Sequence, residues 1–175
     1  MPDKQPEEPE RLPDSEAEEG LNVPPPFFPY EESLLPVDEP FEPGEPVEVR
    51  VEAVFAAQAG TETRQFVLLS DGERKLPIVI GRFEAMAITY SLEGQQPDRP
   101  MTHDLMKAII DKMDAIVDRI VIDDLWGSTY YAKIYLKRRG TEIMVDARPS
   151  DAIALAVRFD CPIFVAEGIL AQNAH

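Results

Sequence analysis

The feature that most limits what this chain can fold into is an abrupt change of character near residue 47. Residues 1–46 hold fourteen acidic residues against Lys4 and Arg11, a net charge of −12 out of −16 for the whole chain, and 12 of its 17 prolines. A stretch this acidic and this rich in proline repels itself and has too little apolar surface to offset the entropy of ordering. It predicts a disordered tail over 1–46, and leaves residues 47–171 to form one domain of ordinary size, with 172–175 as a short C-terminal end. Within the tail, VPPPFFPYEESLLPV (Val23 to Val37) reads as a linker or, with Phe27, Phe28 and Tyr30, as an extended docking segment.

With most of the acidity in the tail, the remaining 129 residues carry only −4. No arginine-rich run or basic stretch is present. Phosphate backbones are bound largely through Lys and Arg that displace counterions. Nucleic acid would therefore have to meet a local basic patch or a metal. A single cysteine, Cys161, excludes an intramolecular disulfide and reads as a small core residue. The first residues lack the apolar core of a signal peptide, and no apolar run approaches the ~20 residues of a membrane span. The expectation is a cytoplasmic protein with no membrane contact.

From Val47 the patterns are those of packed structure. Val47, Val49 and Val51 alternate with Glu48, Arg50 and Glu52, the period of a half-buried strand. QFVLLS and KLPIVIG flank Asp71-Gly72 and predict a hairpin, with Pro77 at an edge or non-bonded site. RFEAMAITYSLEG places Phe83, Ala87, Tyr90 and Ser91 at helical spacing before Gly94. THDLMKAIIDKM predicts a helix with Thr102 as N-cap and Leu105, Ile109, Ile110 and Met113 buried. IVDRIVIDDL and TYYAKIYLK predict paired strands joined at Trp126-Gly127-Ser128, and TEIMVDA a third. RPSDAIALAVRF predicts a helix capped by Ser150 that buries Ala152, Ile153, Leu155 and Ala156; PIFVA and EGILAQ add a short strand and a last helical turn. The irregular order of strands and helices fits an α+β domain, a mixed and largely antiparallel sheet packed by three to four helices.

Polar residues gather at three junctions: Arg99, Thr102, His103 and Asp104; Asp146, Arg148, Ser150 and Asp151; and the pair Glu84 and Glu93. Each has a plain structural reading. Hydroxyls and acids at helix starts satisfy free N–H groups and the positive helix end, and Arg148 can pair with neighbouring acids. No HExxH, Walker A, GxSxG or CxxC motif is present. Trp126, Tyr130 and Tyr131 read as hairpin packing or as base-stacking rings, and Asp123-Asp124 as turn acids or as members of a metal site.

These same segments carry a likeness. LPIVIGRFEAMAI, RPMTHDL, RIVIDDL, TYYAKI, and VDARPSDAIALAVR with PIFVAE occur in order through the domain, and the chain resembles the bifunctional nuclease domain family. The resemblance implies a compact α+β domain in a bacterial-type protein, self-association (a homo-oligomer, most simply a dimer), and nucleic acid as partner, since the family is named for cleavage of DNA and RNA. It assigns no catalytic residues. On a nuclease reading, a divalent Mg²⁺ or Mn²⁺ held by Asp146 and Asp151 would activate water and stabilise the phosphate. His103 and Asp104 join those acids as catalytic candidates, with His103 moving the proton. Arg148, Arg99 and Ser150 would bind phosphate. The alternative is a non-catalytic oligomeric binding or regulatory module. The nuclease reading requires the starts of the helices at Thr102 and Ser150 to face one cleft.

Overall fold

In the computed structural model the described residues are 42–59 and 62–175, all within one packing unit. The readings of residues 1–41, including Val23 to Val37, lie outside the described residues.

Eleven elements follow one another: β1 (Pro46–Ala59), β2 (Glu62–Ser70), β3 (Lys75–Ile80), α1 (Arg82–Leu92), α2 (Thr102–Lys112), β4 (Ile116–Trp126), β5 (Thr129–Arg138), β6 (Thr141–Ala147), α3 (Pro149–Phe159), β7 (Ile163–Ala166) and α4 (Glu167–Asn173). The strands form one seven-stranded sheet in the order β3-β2-β1-β7-β4-β5-β6. Every pairing is antiparallel except β7 against β4. The expected α+β fold, with a mixed, largely antiparallel sheet and four helices, is the one found.

Alternation sets the buried face. Register puts Ile120 of β4 beside Ile134 of β5 and Ile163 of β7, and Ile122 beside Ala132 and Val165. All six are buried, giving two apolar rows across the sheet centre. α3 packs on these rows. Its run from Ala152 to Ala156 is buried at every position, as its sequence predicts, because three alanines allow a close approach to strands and helices on several sides. The β2–β3 hairpin turns where expected: Asp71 Oδ1 accepts the N–H groups of Glu73 and Arg74. Pro77 falls on β3, an edge strand whose outer side needs no donor.

Both chain ends of the domain extend past their expected limits. The Pro43 and Glu45 carbonyls accept N–H groups of Gly168 and Glu167, so residues assigned to the tail cap the start of α4. His175 exchanges two backbone hydrogen bonds with Lys75.

Three helix expectations are corrected. The N-cap of α2 is Met101, not Thr102; its N–H is satisfied by the Asp104 carboxylate reaching back from the first turn. The N-cap of α3 is Arg148, not Ser150, because Pro149 fits the first helical position and holds the residue before it extended. The apolar stripe of α2 is also not its buried side. Leu105, Ile109 and Met113 are 54%, 49% and 50% exposed. The covered stripe is His103, Lys107 and Ile110. α2 meets α3 through polar and cationic groups: His103 to Asp151, Asp104 to Arg158, and the Lys107 ammonium 3.9 Å from the Phe159 ring centroid.

Candidate active site

Members of all three polar junctions meet. α3 begins with Pro149, which directs Asp151 to the outer edge of the first turn, and α2 lays His103 against it. His103 Nε2 lies 3.0 Å from Asp151 Oδ1. The other Asp151 oxygen accepts from Arg148 Nε at 2.8 Å, and an Arg148 terminal nitrogen donates to Glu84 Oε1 at 3.0 Å. One chain of contacts thus runs His103–Asp151–Arg148–Glu84 and joins the starts of α2, α3 and α1. The convergence depends on packing between segments 48 and 64 positions apart.

The electrostatics follow from burial and partners. Burial presses the Asp151 carboxyl pKa upward, but the hydrogen bonds from Arg148 and His103 outweigh it and hold the group below its ordinary value. An ionised Asp151 can only accept, so His103 Nε2 is the donor between them. Nδ1 is the ring nitrogen that Asp151 does not engage. His103 itself is 6% exposed. Arg148, by contrast, has a 68% exposed side chain. Among the described residues two of its five N–H donors are engaged by carboxylates, which leaves three to meet an anion.

These groups line a pocket of about 190 Å³, together with Phe83, Ala87, Met101 and Thr102. On the other side of Arg148 lies a second groove of about 630 Å³, between β3 and the β4–β5 turn. It is lined by residues including Ile80, Ser128, Thr129, Tyr130 and Ser150. Arg148 is common to both.

The remaining candidates are placed elsewhere. Asp104 is engaged by Arg158 Nε at 2.6 Å and by the Met101 N–H. Arg99 is exposed in the loop before α2 and lines neither cavity. Asp146 is exposed on β6 opposite Lys133, and also lines neither. Ser150 is buried and faces the larger groove. Asp123 pairs with Lys133. Cys161 is half-buried, and burial pushes its thiol up to about 11, which suits a packing role. With both Asp151 oxygens engaged and Asp146 outside the pocket, the residues as placed do not make a metal set. Among the described residues no group of three or more His, Cys, Asp or Glu is arranged to hold an ion. Glu84 is the member that pattern reading left out of the site, where it reads as a helix acid; Gly81 is its signal. A Cβ there would lie 2.2 Å from Glu84 Oε2, so only glycine lets this carboxylate fold back over the helix start.

The sequence profile of the bifunctional nuclease domain matches residues 67–175, which contain every residue of this cluster. The chain belongs to that family. An uncharacterized protein of Mycobacterium tuberculosis is 39% identical over 125 residues, 71% of this chain and 74% of that protein. Among plant relatives, bifunctional nuclease 1 of Oryza sativa subsp. indica is 30% identical over 101 residues, 56% of this chain and 30% of the rice protein. Bifunctional nuclease 2 of Arabidopsis thaliana is 31% identical over 93 residues, 51% and 28% of the two chains. The likeness to the plant nucleases thus spans under a third of their length. Among the described residues no helix is long and apolar enough to cross a membrane.

Proposed function

We propose that this bifunctional nuclease domain hydrolyses phosphodiester bonds of nucleic acid, with His103 as the proton-transfer group, Asp151 orienting it and Arg148 holding the phosphate. The observation that carries the reading is the linked set His103–Asp151–Arg148, with one buried histidine and one exposed guanidinium on a single carboxylate. Asp151 keeps the Nε2–H tautomer and leaves Nδ1 as the acceptor. Nδ1 takes a proton from a water whose oxygen attacks phosphorus. The P–O bond on the far side breaks, and the leaving oxygen takes a proton from solvent water, while His103 later returns its own to solvent. Arg148 meets the growing charge on the phosphate oxygens through its remaining N–H donors. Once His103 has taken the proton, its charge and that of Arg148 offset the Asp151 and Glu84 carboxylates while negative charge grows on the phosphate.

The test is cleavage of single- and double-stranded DNA and RNA by purified protein with Mg²⁺, Mn²⁺ or chelator, beside His103→Ala and Asp151→Asn. Loss of proton transfer is expected to lower kcat by about 10²–10⁴-fold in His103→Ala. Equal cleavage by wild type and both variants sinks the assignment. The metal arms decide whether Mg²⁺ or Mn²⁺ enters the chemistry from solution.

The second reading, an oligomeric binding module, is favoured by uncovered apolar surface. Ile143 and Val145 of β6 lie in register with Leu136 and Ile134, on the core-facing side of the sheet, yet are 43% and 41% exposed. Among the described residues β6 is also an edge strand. We infer that a second copy of the chain covers this strand. Solution mass by light scattering tests it: Val145→Lys is expected to yield monomer, and a wild-type monomer excludes it.

A further inference from the structure

Resting on the nuclease reading, we propose that the site takes a single strand, with the nucleosides flanking the Arg148-bound phosphate seated on the Phe83 ring and in the Tyr130 groove. The two cavities flank one guanidinium, the arrangement needed if a phosphate at Arg148 is to have a nucleoside on each side. Phe83 lines the smaller pocket yet leaves 65% of its surface in solvent. It also carries a cation, because the Arg82 guanidinium carbon is 5.0 Å from its ring centroid. An exposed ring with an attached positive charge suits a base stacked beside a phosphodiester backbone.

The larger groove has different walls. Tyr130 is half-buried against the core, while Ser128 and Thr129 are exposed. A volume of about 630 Å³ is within the ~300–1,000 Å³ of small-ligand sites. Tyrosine offers a flat face, and the hydroxyls of Ser128, Thr129 and Ser150 offer donors and acceptors to a sugar and base edge. In a duplex each base is already stacked and paired, so occupying both positions would require melting it at a cost of a few kcal/mol. A single strand arrives with free base faces. The class of ligand is a single-stranded DNA or RNA segment of at least two nucleotides.

The experiment is fluorescence anisotropy of the full chain with short labelled DNA and RNA strands and the matching duplexes, in chelator. Phe83→Ala and Thr129→Glu change exposed positions, so both variants are expected to fold, with circular dichroism as the check. Wild type is expected to hold single strands at least about tenfold tighter than duplex. Losing one base stack in Phe83→Ala should raise Kd about five- to a hundredfold, and Thr129→Glu should weaken binding by repelling the backbone. Duplex binding equal to single strand, absent binding, or either variant behaving as wild type overturns the proposal. The assay needs no turnover, so its failure is distinct from failure of the cleavage assignment, which shows as undiminished cleavage by His103→Ala.

Discussion

Asp104→Ala separates the structural acid of α2 from the histidine beside it. Asp104 accepts Arg158 Nε at 2.6 Å and the Met101 N–H at 2.9 Å. The Arg158 side chain is only 6% exposed, while that of Asp104 is 31% exposed. Removing the carboxylate leaves a nearly buried guanidinium with, among the described residues, one remaining hydrogen bond, to the Ala154 carbonyl. Breaking a buried ion pair from one side costs about 3–5 kcal/mol, and losing a helix cap adds about 1 kcal/mol. Since water reaches Asp104, the low end of the first figure applies, for a total of about 4 kcal/mol. That corresponds to roughly 10–15 °C in Tm for a domain of this size. Burial raises the Asp104 carboxyl pKa and the Arg158 and Met101 contacts more than reverse it, so the folded value lies below 3.8. A lowered folded pKa stabilises above the unfolded value and is lost as pH falls through the folded one. The gap between wild type and Asp104→Ala should therefore close below about pH 3.8. Urea unfolding across pH, with Arg158→Met and the double variant, completes the cycle. The double variant should recover much of the loss because no charge is left buried alone. A single-variant change under about 1 kcal/mol, or a double variant less stable than Asp104→Ala, refutes the argument.

Gly81→Ala should cost up to about 1 kcal/mol in the wild-type background, because the new methyl forces Glu84 off Arg148 at an exposed pair. In a Glu84→Ala background the same change should be neutral or stabilising by about 0.4–1 kcal/mol, since φ there is −72° and alanine is unstrained; urea titration reads both. The N–H groups of Arg74 and Glu73, then the Arg74 side chain, hold the Asp71 carboxyl down to about 2. This stabilisation is complete above 3.8 and lost as pH falls from 3.8 toward 2. An acid-unfolding series on Asp71→Asn should be flatter through that window, and an unchanged slope rejects the assignment.

Local pattern settled much of this molecule. The alternation from Val47, the Asp71-Gly72 turn, the paired strands about Gly127-Ser128 and the wholly apolar run of α3 are each visible within about ten residues, because strand and helix periods and turn chemistry are local properties. The polar clusters were visible as clusters, and the family as an ordered series of segments. Pattern did not decide what covers an apolar face. The Leu105–Ile109–Met113 stripe has helical spacing but lies outward, because contacts to α3 by His103, Asp104 and Lys107 set the roll of α2. Nor did it sort neighbouring acids: Asp104 and Asp151 both open helices, yet one meets Arg158 and the other meets His103 and Arg148. The Asp151–His103 and Asp104–Arg158 pairings join residues 48 and 54 positions apart, and Glu84 returns to Arg148 across 64. Periodicity reports which side of an element is apolar; only the packing of α1, α2 and α3 decides which charges meet and which cavities Arg148 divides.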